Sequence, residues 1–533
     1  MKKVSLFFMA MVASFALQAQ WTDNPANNNF IANALATDTT AAGGIHPETD
    51  AVTGDTYVLW NAGGFESSDG YALHLQRLTA DGTPQWGADG ICMPHHFNTW
   101  SAGRELAITT DHAAVACFAA IDNHTYAVKV NPDGTFPWGE QGVTLFDGQG
   151  ESRAEVIAGN DGGCWTLGFA RPQLYLQYVN ADGTLNPTAV IETGNDSVYC
   201  AFGKLTLGND NNVFLTYETI HDTTNTFDTK AEKQIHLRGY ATDGTQITPD
   251  VTLMATQYFE IAYYHRVIPD GLGGAYAYLA RGDELTANVY VYHYDVNGNN
   301  TISDTLGIPV HDLDQDSMYI SPRVTVDPVS HDLLIGYYQT DAAFQRSYVY
   351  YVNRITTTGE KVWGNGIKIA DLQENKWWTH YVNAFEDGSG FSITYMPCPS
   401  NTSILSTVEA MGLDMNCNVL WNKQLSSSKY YRSTPDRLTG FHNGQNIVVW
   451  SNNDNGNLYG QNFGVDGSMG HGVGVEENVV EDEEIVTLVR IINVNGQTMT
   501  CKDENELTPG IYILQGTNKD GMMVNKKTII IRE

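Results

Sequence analysis

The sequence predicts an all-β protein: a β-propeller of about eight four-stranded blades, with seven as the alternative, followed by a small C-terminal β-sandwich. Three observations carry this expectation. A tight-turn phrase recurs along residues 40–470, an apolar β-rich run recurs in step with it, and no long 3.6-residue amphipathic segment interrupts them.

The turn phrase is sharpest where strands lead into Asp81-Gly82 and Asp133-Gly134 and then reach Trp86 and Trp138. Further copies turn at Asp182-Gly183, Asp243-Gly244, Asn297-Gly298, Thr358-Gly359, Asn416-Cys417 and Asp466-Gly467, with Trp363 and Trp421 following two of them. Asp-Gly and Asn-Gly mark hairpins because both turn residues must tolerate positive φ. The β-rich runs, read as inner strands, are 57–60, 114–118, 164–167, 213–217, 275–278, 333–337, 391–395 and 447–450. Each precedes its hairpin by roughly twenty residues, so one unit holds about four short strands, as a blade does. A row of β-sandwiches would need longer and less even units. The hairpin at Asp466-Gly467 has no good outer strand of its own. Trp21 echoes Trp86 and Trp138 near the N-terminus, and Phe30 to Asn33 reads as a strand, so the first strand is expected to complete the last blade. Such closure leaves no open edge.

These copies resemble propeller repeats in large secreted proteins of Bacteroidetes-type bacteria, with Gln in the strand, Gly in the turn and Trp-Gly beyond it. The resemblance covers most of residues 40–470 and is sharpest at 75–91, 128–143 and 352–367. It implies a fold, and a fold leaves function open.

Composition narrows the function classes. Hydrophobic residues make up 42% of the 533 and charged residues 17%, which suits a globular chain. Against 29 basic residues stand 61 acidic ones, for a net charge of −32. That balance argues against nucleic acid and against an anionic membrane surface, both of which need clustered Lys and Arg. Lys2-Lys3, an apolar run from Val4 to Leu17 and a small residue at Ala19 read as a signal peptide over residues 1–19. The run is too short to span a bilayer comfortably, and no direct membrane insertion is expected. The seven Cys are scattered without C-x-x-C spacing, which supports neither a zinc site nor a disulfide framework.

The propeller is assigned to residues 20–470, a linker to 471–485 and a C-terminal module to 486–533. Within the module, Val489 to Gly496, Leu507-Thr508-Pro509-Gly510-Ile511-Tyr512 and the terminal Lys526-Lys527 run resemble the sorting domain of the type IX secretion system. The resemblance implies passage across the outer membrane and names the type IX machinery as a partner. The family's Pro-Asn-Pro opening is absent, which leaves the start of the module open.

No nucleophile elbow, zincin motif or P-loop is present. The hairpins lack the intervening residue of a sialidase Asp-box, and no pair of carboxylates stands out as a glycosidase pair. Asp295, Asn297, Asn299 and Asp304 alternate oxygen ligands as a Ca²⁺ loop does, but without the sixth-position Gly or twelfth-position Glu of an EF-hand. An ordinary hairpin is the favoured reading there, and no cofactor is assigned. The binding candidates are residues just before each inner strand: Trp100, Arg104, Arg153, Tyr264, Arg266, Arg323, Trp378, His380 and Tyr431. Read as blade-to-blade connections around the channel mouth, their aromatics would stack on sugar rings or anchor a peptide. Their Arg side chains would fork onto carboxylate or sulfate. The bland alternative packs the aromatics between blades and pairs each Arg with an acid such as Glu105 or Glu155. The expectation is a secreted or cell-surface binding or adhesion propeller, non-enzymatic, with a glycan or peptide at the channel mouth. The alternatives are an extracellular hydrolase and a structural surface component.

Overall fold

The computed structural model describes residues 21–33, 43–62, 71–97, 104–148, 152–191, 198–221, 232–257, 265–282, 286–302, 306–312, 317–341, 347–372, 376–398, 406–430, 432–433, 439–452, 456–470, 487–493, 510–517 and 523–530. The proposed signal peptide lies outside them. The chain divides into two compact units, 1–473 and 474–533, a boundary inside the expected linker.

The first unit is a propeller of eight four-stranded antiparallel blades. Blade 1 is Gly43–Thr49, Thr56–Ala62, Tyr71–Leu78 and Ile91–Phe97, in that spatial order from the channel outwards. Blades 2 to 7 repeat the order, each opening on its innermost strand: Arg104–Ile108, Ser152–Ala158, Val198–Leu207, Arg266–Pro269, Ser317–Val326 and Lys376–Ala384. Blades 5 and 6 touch through one parallel bridge, Ala287 to Met318, and are otherwise separate sheets. In blade 8, Arg432–Ser433, Gln445–Asn452 and Leu458–Gly464 are joined by Asn29–Ala32 as the fourth strand. The N-terminal segment therefore completes the last blade.

Apolar cores lie between blades, and they follow the ring round. Tyr57, Leu59 and Leu75 of blade 1 pack on Leu106, Ala116 and Phe118 of blade 2. Equivalent clusters join every later pair, and the eighth sets Ile31, Ile447 and Val449 of blade 8 against Ile45, Val58 and Trp60 of blade 1. A sheet that buries both faces against neighbours is satisfied only when the ring closes.

The repeated turn phrase has a physical reason in this packing. All eight hairpin positions have φ between +62° and +87°: Gly82, Gly134, Gly183, Gly244, Gly298, Gly359, Cys417 and Gly467. The Trp beyond one hairpin rests on the hairpin glycine of the next blade. Trp21 sits on Gly82, Trp138 on Gly183 and Trp421 on Gly467. Each indole N–H donates to the carbonyl two residues before that glycine, at Ala80 (3.0 Å), Ala181 (3.0 Å) and Val465 (2.7 Å). Glycine is required because a Cβ would enter the indole and because φ is positive. The strand Gln of the phrase is buried and fully used. Gln76 accepts from the Trp86 N–H (3.1 Å) and donates to Gly87 (2.5 Å).

The hairpin acids hold the turns. Asp133 and Asp182 each accept from the hydroxyl and backbone N–H of the Thr two residues on, and Asp243 from the N–H of Thr245. These bonds hold all three carboxyls below the usual aspartate range. A depressed native pKa contributes stability that is present above the unfolded value of about 3.9 and lost as pH falls through the native one. The contribution of these three turns is expected to be constant from about pH 7 to 5 and to be lost below about pH 4, where thermal melts shift downwards. An unchanged melting temperature at pH 3 would sink this account.

Asp295 belongs to the same class. Its carboxylate accepts from the N–H groups of Asn297 (2.9 Å) and Asn299 (2.8 Å), so it acts as a turn-former in a hairpin. Asp304 lies outside the described residues. Among those residues, no group of three His, Cys, Asp or Glu could hold a metal.

The described residues of the second unit form one three-stranded antiparallel sheet: Thr487–Asn493, Gly510–Thr517 and Met523–Ile530, with Gly510–Thr517 in the centre. The facing sheet that a sandwich requires is not among them.

Candidate functional site: a charged ring on the innermost strands

Two expectations need correction. The eight β-rich runs are the second strand of each blade. Arg104, Arg153, Arg266, Arg323, Trp378 and His380 lie within the innermost strands, where they were expected in connecting loops. These strands were missed because they line a channel and carry charge, so their apolar alternation is broken.

Register brings seven residues to one level. Three positions before the last paired residue of each innermost strand lie His46, Glu105, Glu155, Lys204, Arg266, Arg323 and Tyr381, in blades 1 to 7. Their side chains reach along the ring. His46 Nδ1 lies 3.2 Å from Glu105, and its Nε2 lies 3.1 Å from Glu48. Lys204 is ion-paired to Glu155. The Arg323 guanidinium lies 5.5 Å from the ring centre of Tyr381. Arg266 and Arg323 share one posture, each donating from Nη1 to the carbonyl of the residue before it, at 2.9 and 3.2 Å.

The ring is divided by sign. Blades 1 to 3 contribute His46, Glu105 and Glu155 at this level, with Glu48 two residues beyond His46, whereas blades 4 to 6 contribute Lys204, Arg266 and Arg323. Glu105 and Glu155 have bases as partners across a blade boundary. Of the two Arg nearest them, Arg104 and Arg153, the side chains lie outside the described residues. A pair of carboxylates on one cleft is what glycoside hydrolysis needs. Here Glu105 is held by His46 and Glu155 by Lys204, which suits charge display better than acid–base work.

The other candidates separate. Arg266 is exposed, and Arg323 is half-buried. His380 is 2% exposed, packed against Tyr338 and Tyr350 in the blade 6–7 core, one residue before the ring level. Burial, and then the Arg323 charge, hold its pKa well below the usual imidazole value. It is a neutral core group, contrary to its expected place on the binding face. Trp100, Tyr264 and Tyr431 lie outside the described residues, as does the Trp378 side chain. Lys204 and His46 were missed in the sequence. Only the strand register would have aligned them with Arg266 and Arg323.

Towards the C-terminal ends of the innermost strands, next to the ring, blades 1 to 3 line an open pocket of about 430 Å³ with Glu48, Asp50, His112, Thr109 and Ile157. Burial raises the Asp50 carboxyl, but bonds from the Val52 N–H, His112 and Thr53 outweigh it and leave the pKa lowered. His112 Nδ1 lies 2.6 Å from that carboxylate.

No protein-family model and no curated protein matches the chain. Solved structures similar to it include puromycin hydrolase, at 14% identity and TM-score 0.44, covering 81% of this chain and 61% of that one. Another is the β-propeller domain of the Trilobed protease from Pyrococcus furiosus, at 10% identity and TM-score 0.39, covering 74% and 98%. The Hadza microbial sialidase Hz136 follows at 9% identity and TM-score 0.36, covering 74% of each chain. The chain spans about 61% of the length of puromycin hydrolase. The propeller assignment stands on the chain's own eight sheets and interblade cores.

Proposed function

We propose that the chain is a non-enzymatic binding propeller, exported to the outer cell surface through the type IX system, that takes an acidic glycan or peptide on its channel wall. One observation carries the ligand class: three consecutive blades place Lys204, Arg266 and Arg323 at one level in a chain of net charge −32. A cationic arc inside an acidic protein concentrates field on one stretch of wall, and guanidinium groups fork onto carboxylate or sulfate. Tyr381, buried beside Arg323, backs the guanidinium with its ring.

Calorimetric titration with sulfated, uronate-bearing and neutral oligosaccharides, and with acidic peptides, tests this reading. Acidic ligands are expected to bind, more weakly as salt rises, and Arg266→Gln or Lys204→Gln should each cost roughly tenfold. Equal binding of neutral ligands, or an unchanged affinity in Arg266→Gln, rejects the arc as the site. For the address, deleting residues 486–533 should leave the propeller in the periplasm, as cell fractionation reads it. Normal export of that truncated chain would remove the sorting assignment.

A further inference from the structure

Along the innermost strands of blades 2 and 3 the channel wall changes character within a few residues. Glu105 and Glu155 stand at the ring level, and Ile108 and Ala158 end the same strands. The open pocket of about 430 Å³ beside the ring is therefore lined on this side by Leu106, Ile108, Val156, Ile157 and Ala158. Of these, Ile108, Ile157 and Ala158 are only half-buried and keep apolar surface open to the pocket. Blade 1 supplies the polar side, Glu48 and Asp50, with exposed Val52 in the turn that follows. A volume of several hundred Å³, largely apolar with a few polar groups, is what a small-ligand site requires.

The polar side is negative. His46, 1% exposed, lies between Glu48 (3.1 Å) and Glu105 (3.2 Å), and His112 lies 2.6 Å from Asp50. Three carboxylates thus meet two imidazoles, and no Lys or Arg lines the pocket. Negative charge is left over even with both imidazoles protonated. An apolar wall lowers the local dielectric and strengthens that field towards a cation. A small hydrated cation gains nothing from such a wall, and a carboxylate or sulfate is repelled. A cation at the end of an apolar stem satisfies both sides at once. We propose that this pocket takes a primary alkylammonium group, as a lysine side chain presents it, with the ammonium at Glu48 and the stem on Ile108 and Ile157.

The pocket uses no residue of the cationic arc on blades 4 to 6, so failure of acidic ligands to bind would sink the arc and leave this site standing. The probes are n-pentylammonium and the methylamide of N-acetyl-lysine, titrated into the full chain at constant ionic strength and followed by ligand-observed NMR. Methylammonium supplies the charge without the stem, and 1-pentanol the stem without the charge. Both probes should bind saturably, about tenfold tighter than either control. Tighter binding of the lysine amide supports a peptide as the source, and tighter binding of pentylammonium a free amine. Glu48→Gln should weaken pentylammonium about tenfold and leave 1-pentanol unchanged. Ile157→Ser should remove most of the preference for pentylammonium over methylammonium. If Glu48→Gln does not fold, Ile157→Ser carries the test. Equal binding of methylammonium and pentylammonium, or a pentylammonium affinity unchanged in either folded variant, overturns the assignment.

Discussion

Trp21→Ala is expected to destabilise the propeller by about 3–5 kcal/mol, the usual range for truncating a buried Trp in a core. Trp21 is 4% exposed and belongs to the cluster that holds blade 8 against blade 1, with Ile31, Ile45, Val58 and Trp60. Its indole rests on Gly82, and its N–H donates to Ala80. The same latch recurs at Trp138 and Trp421 inside continuous chain, but at Trp21 it closes the ring. Losing it frees the outermost strand of blade 8, Asn29–Ala32, and exposes the edge of Leu458–Gly464 for pairing with other chains. Equilibrium urea unfolding with light scattering would report both effects. Trp21→Phe, which keeps most of the buried area and loses the N–H bond, should cost clearly less. If Trp21→Ala costs no more than an exposed change such as Val52→Ala, closure does not depend on this latch.

Gly336→Ala is the second large effect, expected at about 1–3 kcal/mol or beyond for overpacking a filled core. The added Cβ would collide with Tyr350 Oη and lie 2.7 Å from Val382 Cγ2 on the neighbouring blade. Tyr350 is fully buried, its ring pinned between Tyr338, Trp377 and His380, so the phenol has little room to swing away. Pairing the change with Tyr350→Phe removes the colliding oxygen. The double variant should therefore be more stable than the sum of the single effects allows. A double-mutant cycle that is additive within error would mean that the strain is relieved elsewhere.

Much of the architecture was legible because the hairpin is a local device. Asp-Gly and the Thr after it specify a turn through their own backbone bonds, so Asp133, Asp182 and Asp243 marked blades wherever they stood. Trp21 could be matched to Trp86 and Trp138 because the same residue meets the next blade's hairpin glycine at Gly82, Gly134 and Gly183. The innermost strands were harder to read. Ser317–Val326 and Lys376–Ala384 contain Pro322, Arg323, Trp377 and His380, and β-bulges interrupt both registers, so neither period nor propensity marked them as strands. Arg266 and Arg323 stood out as unusual in an acidic chain, whereas Lys204 did not, because nothing local distinguishes it from a solvated lysine.

By itself the sequence determined a chain of about eight repeated four-strand units with a separate C-terminal module, since turns and apolar runs act over a few residues. Only the tertiary structure decided that seven innermost strands bring His46, Glu105, Glu155, Lys204, Arg266, Arg323 and Tyr381 to one level, and that His380 is buried behind them. The physical reason is that side chains alternate along a strand, so a shift of one residue exchanges a channel position for a core one. That register is set by pairing with the next strand and by packing against the next blade.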